Sequence, residues 1–384
     1  MIGSLQTLNQ LANRHAGKLL LVGLVGVAAY NWRLWQRDKA RLAELGQPGP
    51  PPDWHDWPDL PLVSVLVAAW NEAEMIEQHI ESFLLLRYPN KQLVLCAGGE
   101  DTTYEMARRH AGEGMVVLQQ QPGEGKQRAL RRCYAQARGE IIYLTDADCT
   151  LADSSFYRTL RPILEGREYV VTGDHRPLDR QLTNPLAVYQ WYVNRYVAAR
   201  TPDHIGGLKG ANCAVHREAL ERAGAFRDDV LIGTDYHLAR TLLDAGYRIR
   251  YVRNSEVQTE YPDNIVDYRR EHSRWTRNVI GHSLRFRELR TMMAGLLTVC
   301  VGTLMLLLPL SLTVIGGVGL VLWGLLYVHT YLSRIRYTVF GRRRTGFKST
   351  GPSPLGLAAF IWLDFFTWAT VAVDMLVPKR RRRW

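Results

Sequence analysis

The longest uncharged stretch of the chain sets the strongest limit on its fold. From Met292 to Tyr331, about 40 residues contain no Asp, Glu, Lys or Arg. A run of this length is too apolar to be left in water, and it suffices for two membrane-spanning helices of ~20 residues. We therefore expect a transmembrane hairpin over 291–333, with its turn near Pro309 to Gly317.

A shorter apolar run lies near the N-terminus. Lys18 to Trp32 is about 15 residues long, close to the lower limit for a helix that crosses a bilayer. A secretory signal peptide has a similar apolar region, but no small-residue cleavage site precedes the basic residues that follow. Those residues predict an uncleaved anchor over 1–45 with its downstream side in the cytoplasm; they are Arg33, Arg37, Lys39 and Arg41.

The C-terminal segment 334–384 contains a third apolar stretch, and here two rules conflict. Leu355 to Val377 is long enough to span, but Asp364 and Asp374 are costly in lipid unless they are paired. Crossing would also place Lys379 to Arg383 outside, against the preference for cations on the cytoplasmic side. Whether this segment spans is left open.

Charge and cysteine usage exclude several classes of protein. The net charge of +11 comes partly from arginine runs beside apolar segments, which suits anionic lipid headgroups and not nucleic acid. Five cysteines without a C-x-x-C spacing indicate neither a disulfide framework nor a zinc site. We expect the soluble part to work in a reducing compartment.

The soluble domain is predicted between a Pro-rich linker, 46–61, and residue 260. Strands at 62–69, 92–97, 115–119 and 141–145 alternate with helices, which predicts an α/β fold with a mostly parallel, doubly wound sheet. The strand 141–145 runs directly into Asp146 and Asp148. Two carboxylates at the carboxyl end of a parallel strand fit a divalent cation that also binds a diphosphate, although the pair would equally serve as turn or helix caps.

Several motifs in a fixed order resemble one enzyme family. They are AAWNE at 68–72, GGEDTT at 98–103, GEGKQRAL at 123–130, DAD at 146–148, GANCAVHREAL at 210–220, Thr234-Asp235 and Arg274-Trp275. Together these motifs, from residue 62 to 275, resemble membrane-bound family 2 glycosyltransferases with the Rossmann-like GT-A fold. Their number and order make the resemblance far more specific than any single motif.

The resemblance implies a role for each matching residue. Asp235 would be the general base, and Asp146 and Asp148 would bind Mg²⁺ or Mn²⁺. The donor-binding residues would be Ala69, Asn71, Glu72, Gly99, Asp101, Lys126, Asp146 and Arg274. The acceptor-binding residues would be Asn212, Thr234 and Trp275.

Simpler interpretations exist for several of these residues. Asp235 and the Asn71-Glu72 pair open helices, where capping is common, and Lys126 would also fit as a solvated residue at a helix start. The aromatic residues of 189–196 are more typical of helix packing than of sugar stacking.

Two positions depart from the family pattern. The second strand ends on Cys96 and Ala97, where family members have an aspartate that contacts the nucleotide base, so Asp101 is the nearest carboxylate. Glu271 replaces the glutamine of Q-x-x-R-W, which weakens the case for processive polysaccharide synthesis. The segment around it, 261–290, is basic and amphipathic, as expected of a helix at a membrane surface.

The expected function is inverting transfer of a sugar from a nucleoside-diphosphate donor, which we expect to be UDP-linked, to a growing polysaccharide or cell-envelope glycan. A lipid acceptor such as ceramide or polyprenyl phosphate is the alternative. A membrane sugar nucleotidyltransferase and a non-catalytic scaffold are less favoured. We expect a bacterial-type plasma membrane protein with a cytoplasmic catalytic domain, membrane lipids as partners and no nucleic acid.

Overall fold

The computed structural model describes residues 15–45, 59–227, 230, 233–347 and 351–376. The predicted linker therefore lies mostly outside the described residues, as does the basic tail. The chain divides into two compact units. The catalytic unit comprises Pro48–Gln181 and Arg200–Tyr261, and the helical unit comprises Met1–Gln47, Leu182–Ala199 and Pro262–Trp384. The sequence predicts one continuous domain over 62–260, whereas the structure assigns Leu182–Ala199 to the helical unit.

The described strands, in chain order, are β1 Val63–Trp70, β2 Lys91–Gly98, β3 Met115–Gln119, β4 Ile141–Leu144, β5 Val170–Pro177, β6 His204–Ile205, β7 Cys213–His216 and β8 Ile249–Thr259. The described α-helices are α1 Ala16–Leu45, α2 Ile76–Leu84, α3 Thr103–Arg108, α4 Gly125–Gln136, α5 Asp153–Leu164, α6 Pro185–Ala198, α7 Arg217–Arg222, α8 Thr234–Asp244, α9 Ile265–Arg285, α10 Leu289–Leu307, α11 Leu312–Thr345 and α12 Pro354–Leu376.

The strands form one sheet in the order β3-β2-β1-β4-β7-β5-β8-β6. The pairs β1–β2, β2–β3, β1–β4 and β5–β8 are parallel, whereas β7 runs antiparallel to both β4 and β5. This mostly parallel sheet with flanking helices confirms the predicted fold class. Because the carboxyl ends of β1 to β4 share one edge, the polar residues that follow those strands are brought together.

Both faces of the central strand β1 are covered. Val63, Val65 and Val67 pack into one buried cluster, and Leu66 packs into another on the opposite face. A strand buried on both sides needs apolar residues at nearly every position, which explains the apolar run in the sequence. The one buried hydroxyl of β1, on Ser64, donates to Gln92 Oε1 at 2.9 Å.

Three described helices are long and apolar enough to cross a membrane: Leu289–Leu310, Gly317–Thr345 and Pro354–Met375. The first two lie where the sequence predicts two apolar helices, and the short helix Leu308–Ser311 connects them; the transmembrane hairpin stays a prediction. The third has the length and composition of a spanning helix. The N-terminal helix α1 is not among the three, because its apolar part is short and four cations follow it at once. The expected anchor over 1–45 stays a prediction.

The carboxylates of α12 are paired within the helical unit. Asp364, only 3% exposed, accepts hydrogen bonds from the Arg334 guanidinium at 2.7 Å, from the Tyr189 hydroxyl at 3.2 Å and from Tyr268. Asp374 accepts one from Ser273 Oγ at 3.1 Å. Pairing is the condition under which these residues become tolerable in an apolar helix.

The aromatic residues of α6 pack as predicted. Tyr189 and Tyr192 are almost completely buried, and the Tyr189 ring lies 5.1 Å from that of Phe360. The Tyr196 ring lies 3.9 Å from that of Tyr337. These contacts give the cluster a structural role in the helical unit.

Candidate active site

The turn that follows β4 positions two carboxylates at the shared strand edge. The Cys149 amide donates to the Asp146 carbonyl at 3.1 Å, which closes a turn that contains both Asp146 and Asp148. The Asp148 Oδ2 atom accepts a hydrogen bond from Thr259 Oγ1 of β8 at 3.0 Å. The aspartates are therefore fixed on a tight turn at the end of a buried strand.

Burial and mutual repulsion disfavour the ionised forms of the carboxyl groups here. Burial, followed by the charge of Asp146, raises the pKa of Asp148 to about 7. Burial and the charges of Asp148 and Asp146 raise the pKa of Glu72, at the end of β1, also to about 7. A cluster of this kind becomes fully ionised at neutral pH when a cation joins it.

Lys126 connects the metal-site turn to the predicted base. It lies in the first turn of α4, and its ammonium donates to Asp146 Oδ1 at 2.6 Å. The same nitrogen lies 3.7 Å from Asp235 Oδ1. Burial raises the pKa of Asp235, and the Lys126 ammonium opposes that rise. The predicted base and the predicted metal ligand Asp146 therefore lie on either side of one lysine.

Asp235 occupies the first turn of α8, as a helix-capping residue would, and its carboxylate also faces the Lys126 ammonium. A Cβ atom added to Gly210 would lie 2.4 Å from the Asp235 carboxyl oxygens, far inside contact distance. Glycine at 210 therefore allows the carboxylate to sit against the loop that precedes β7. Thr234, at the start of α8, is 6% exposed.

Asn71 and Gly99 lock together the loops that follow β1 and β2. Asn71 adopts a left-handed conformation with φ of 59°, and its Oδ1 atom accepts from the Glu100 amide at 2.7 Å. A Cβ atom on Gly99, whose φ is +141°, would lie 2.2 Å from that oxygen. These residues are predicted to bind donor, and the structure shows that they also shape the loop.

Asp101 is engaged in the same way. Its carboxylate accepts hydrogen bonds from the amide of Thr103 at 3.0 Å and from that of Ala73 at 3.1 Å. Although burial acts against it, the hydrogen bond from the Thr103 hydroxyl, together with these two bonds, lowers the pKa of Asp101. The carboxyl group thus ties the second loop to the first, and it remains exposed at the surface.

Asn212, which is predicted to bind the acceptor, is a buried core residue. It is completely buried, and its Oδ1 atom accepts from the Tyr143 hydroxyl at 2.7 Å and from Thr159 Oγ1 at 2.8 Å. Its Nδ2 atom donates to the carbonyls of Asp174 at 2.9 Å and Ser255 at 3.2 Å. With these groups occupied, Asn212 joins four elements of the core and has no exposed atom for a substrate.

The remaining predicted donor- and acceptor-binding residues lie on β1 and α9. Ala69 is completely buried in the β1 core, and its contact with a donor stays a prediction. Arg274 and Trp275 are exposed on α9 of the helical unit, and Trp275 is 44% exposed. Their roles toward donor and acceptor stay predictions. Cys96 and Ala97 are completely buried, so neither side chain replaces the aspartate of the family pattern.

An ion pair that sequence reasoning missed holds the loop before β7. Asp174 is completely buried, and it accepts from the Lys209 ammonium and from the Tyr251 hydroxyl, each at 2.5 Å. The available signal was an acidic residue shortly after the apolar segment Tyr169–Val171, because a carboxylate that is drawn into a buried strand needs a partner. The pair fixes the loop that contains Gly210 beneath Asp235.

The donor set at the strand edge fits a divalent cation. No cluster of three or more potential protein ligands occurs in the described part of the chain. The predicted ligands are Asp146 and Asp148. Mg²⁺ and Mn²⁺ commonly bind through one or two carboxylates and complete their shell with phosphate oxygens and water. The Lys126 ammonium on Asp146 demonstrates that the cluster accepts a positive charge.

A cavity of about 840 Å³ lies at the other edge of the sheet, where β4 begins and β7 ends. Its lining includes Ile141, Glu140 and His216, and none of the predicted site residues. It is therefore separate from the carboxylate cluster.

Known proteins share both the sequence pattern and the fold. Residues 58–278 match the model of a family described as glycosyltransferase like family 2. A probable glycosyltransferase of Bacillus subtilis, YdaM, is 25% identical over 57% of this chain and 55% of its own length. A poly-beta-1,6-N-acetyl-D-glucosamine synthase of Staphylococcus epidermidis is 24% identical over 59% of this chain and 56% of its own length.

A further relative and a solved structure are also similar to this chain. A beta-monoglucosyldiacylglycerol synthase of Nostoc sp. is 24% identical over 56% of this chain and 48% of its own length. The mannosyltransferase PcManGT of Pyrobaculum calidifontis, solved with GDP-Man and Mn2+, is similar in fold, with a TM-score of 0.54 and 18% identity over 95% of this chain and 99% of that chain.

The chain covers about half of the length of these curated relatives. The family match extends over more than half of the chain and includes both the carboxylate cluster and the GT-A sheet. The protein is therefore a member of glycosyltransferase family 2.

Proposed function

We propose that this protein is a membrane-bound, inverting glycosyltransferase that transfers a sugar from a nucleoside-diphosphate donor to a growing polysaccharide or cell-envelope glycan. The observation that supports this most strongly is the convergence of Asp146 and Asp235 on Lys126, beside the turn that also contains Asp148. Leaving-group stabilisation and base catalysis both have candidate residues there.

In the proposed reaction the Asp235 carboxylate takes the proton of the acceptor hydroxyl, whose oxygen forms a bond to the anomeric carbon of the donor. The bond from that carbon to the diphosphate oxygen breaks, and the diphosphate leaves with the electron pair. A divalent cation bound by Asp146 and Asp148 would neutralise the departing charge. Lys126 supplies a second positive charge at the same edge, and we assign it to the diphosphate.

The donor and acceptor are proposed at the level of class. We expect a UDP-linked sugar, while the similar PcManGT fold was solved with GDP-Man and Mn2+, so the nucleotide has to be tested. Both acceptor classes have a relative, a polysaccharide synthase and a glucosyldiacylglycerol synthase. Lipid remains the second candidate because three apolar helices accompany the catalytic unit. We place the catalytic unit on the cytoplasmic side of a bacterial plasma membrane.

The deciding experiment incubates the purified chain with a panel of labelled UDP- and GDP-sugars, with acceptor lipids and with a chelator in parallel samples. We expect transfer from one nucleotide class that stops with chelator and returns with Mn²⁺ or Mg²⁺. A ladder of products indicates a polysaccharide, and a single added sugar indicates a lipid acceptor. Transfer that is unaffected by chelator would refute the metal-dependent mechanism.

The role of Asp235 has its own test. Asp235→Asn keeps the size of the side chain but cannot accept the proton, so kcat should fall by ~10²-fold or more. Donor binding, measured by calorimetry, should change little because the metal-site carboxylates are intact. Unchanged kcat would exclude Asp235 as the base.

A further inference from the structure

Helix α2 holds the chain immediately after the metal-site carboxylates. His79 and Ser82 lie one turn apart on α2, and both are buried. His79 Nδ1 donates to the Cys149 carbonyl at 2.7 Å, and Ser82 Oγ accepts from the Leu151 amide at 3.0 Å. The hydrogen on Nδ1 follows from its partner, because a carbonyl only accepts.

The bond from His79 is made to the residue that closes the carboxylate turn. Cys149 donates its own amide to the Asp146 carbonyl, and it directly follows Asp148. On the far side, Thr259 of β8 donates to Asp148. The turn is therefore anchored from the sheet by Thr259 and from α2 by His79.

A third connection follows α2. The backbone amide and Nε of Arg87 bind the two carboxylate oxygens of Asp153, which opens α5, at 2.8 and 2.7 Å. The segment from Cys149 to Asp153 is thus hydrogen-bonded to α2 or to the residues after it at Cys149, Leu151 and Asp153.

Histidine is an unexpected choice for a purely packing role at this position. Its Nε2 atom is buried and makes no hydrogen bond to any described residue. An unsatisfied buried nitrogen lowers the stability of the fold, and an apolar side chain at this position would avoid that loss. Burial lowers the pKa of His79, so the ring is neutral. The bond to Cys149 is therefore the one polar contact of the ring within the described structure.

We propose that His79 is a positioning residue of the metal site, which fixes the Asp146–Cys149 turn so that both aspartates face one divalent cation. This inference rests on the proposed function, since it assumes that these carboxylates bind the cation. Groups that orient metal ligands without touching the metal typically change affinity by 10- to 100-fold when they are removed.

Three substitutions separate positioning from packing. In His79→Asn the amide nitrogen stands at the same number of bonds from the backbone as Nδ1, so it can donate to Cys149. His79→Gln moves the donor one bond further out, and His79→Leu removes it. We expect the Asn variant to bind Mn²⁺ within about threefold of wild type, and the Leu and Gln variants to bind roughly tenfold more weakly or worse.

Tyr88→Phe is the matched control. Tyr88 is also completely buried, and its hydroxyl donates to the Pro61 carbonyl at 2.7 Å, at the opposite end of β1. Loss of this bond removes the same kind of interaction away from the site. It should lower thermal stability and leave Mn²⁺ affinity unchanged.

The readout is direct Mn²⁺ binding to the purified full chain, followed by the electron paramagnetic resonance of free Mn²⁺, with no sugar donor present. Leucine and glutamine variants that bind Mn²⁺ as wild type does would overturn the positioning role, and so would an asparagine variant no better than these two. If the leucine variant does not fold, the comparison of asparagine with glutamine decides. Wild-type affinity that Asp148→Ala does not reduce would instead reject the metal site itself, and with it the proposed function.

Discussion

Gly210 determines whether Asp235 has room at the site. The Cβ of an alanine would overlap the carboxyl group at 2.4 Å, so Asp235 would have to move in Gly210→Ala. A displacement of about 1 Å in a catalytic group costs up to ~10²-fold in rate, and we expect kcat to fall by that order. Mn²⁺ affinity should stay at the wild-type value because Asp146 and Asp148 are untouched.

Gly206→Ala and Gly207→Ala are the controls for this prediction. Both residues belong to the same loop, and a Cβ at either position meets no atom within 4 Å. Their kcat should remain close to wild type. Equal losses in all three variants would show that loop stiffness, and not contact with Asp235, is responsible.

Lys126 sets the pH at which the predicted base becomes ionised. Burial raises the pKa of Asp235 and the nearby ammonium opposes that effect, so loss of the ammonium must raise the pKa further. A base is active in its ionised form, so kcat falls as pH drops through this pKa. The acid limb of the kcat profile should therefore move to higher pH in Lys126→Met.

Lys126→Arg retains the charge and should keep the acid limb near its wild-type position, whatever happens to the absolute rate. The measurement is kcat against pH at saturating donor. An acid limb that stays in place in the methionine variant would contradict electrostatic coupling between Lys126 and Asp235.

At the scale of elements, the Asp364 carboxylate joins four helices of the helical unit. Asp364 of α12 binds Arg334 of α11 as well as tyrosines of α6 and α9. In Asp364→Leu the guanidinium would be left buried without its counter-charge. Breaking a buried pair from one side typically costs about 3–5 kcal/mol, which should appear as a lower Tm in detergent.

The double variant Asp364→Leu/Arg334→Met removes both charges and should recover much of this stability. The measurement is thermal unfolding of wild type, both single variants and the double variant. It gives the coupling free energy between the two positions. Effects that simply add would show that the pair does not hold α11 and α12 together.

At the scale of the whole molecule, three helices with mean hydropathy from 1.3 to 2.2 should retain the protein in a bilayer. Alkaline carbonate and concentrated salt release proteins that bind membranes only by charge, because salt screens that attraction. We expect the full chain to stay in the membrane pellet under both treatments. Its appearance in the supernatant would show that the helices do not cross.

The sequence by itself determined the fold class and predicted the strand edge at which the candidate site lies. Apolar runs that end on polar residues specify buried parallel strands and the edge to which they deliver Asp146 and Asp148. Long uncharged segments likewise specify helices for a membrane. These features are local, since each depends on which residues are neighbours along the chain.

Only the tertiary structure decided which groups meet. Asn212 lies in a motif associated with acceptor binding, but its side-chain amide is hydrogen-bonded to four core residues. Lys126 and Asp235 are far apart in sequence, and their approach depends on the antiparallel insertion of β7 and the missing side chain of Gly210. Sequence periodicity reports whether a residue is buried but not its partner, and partners determine pKa, positioning and therefore function.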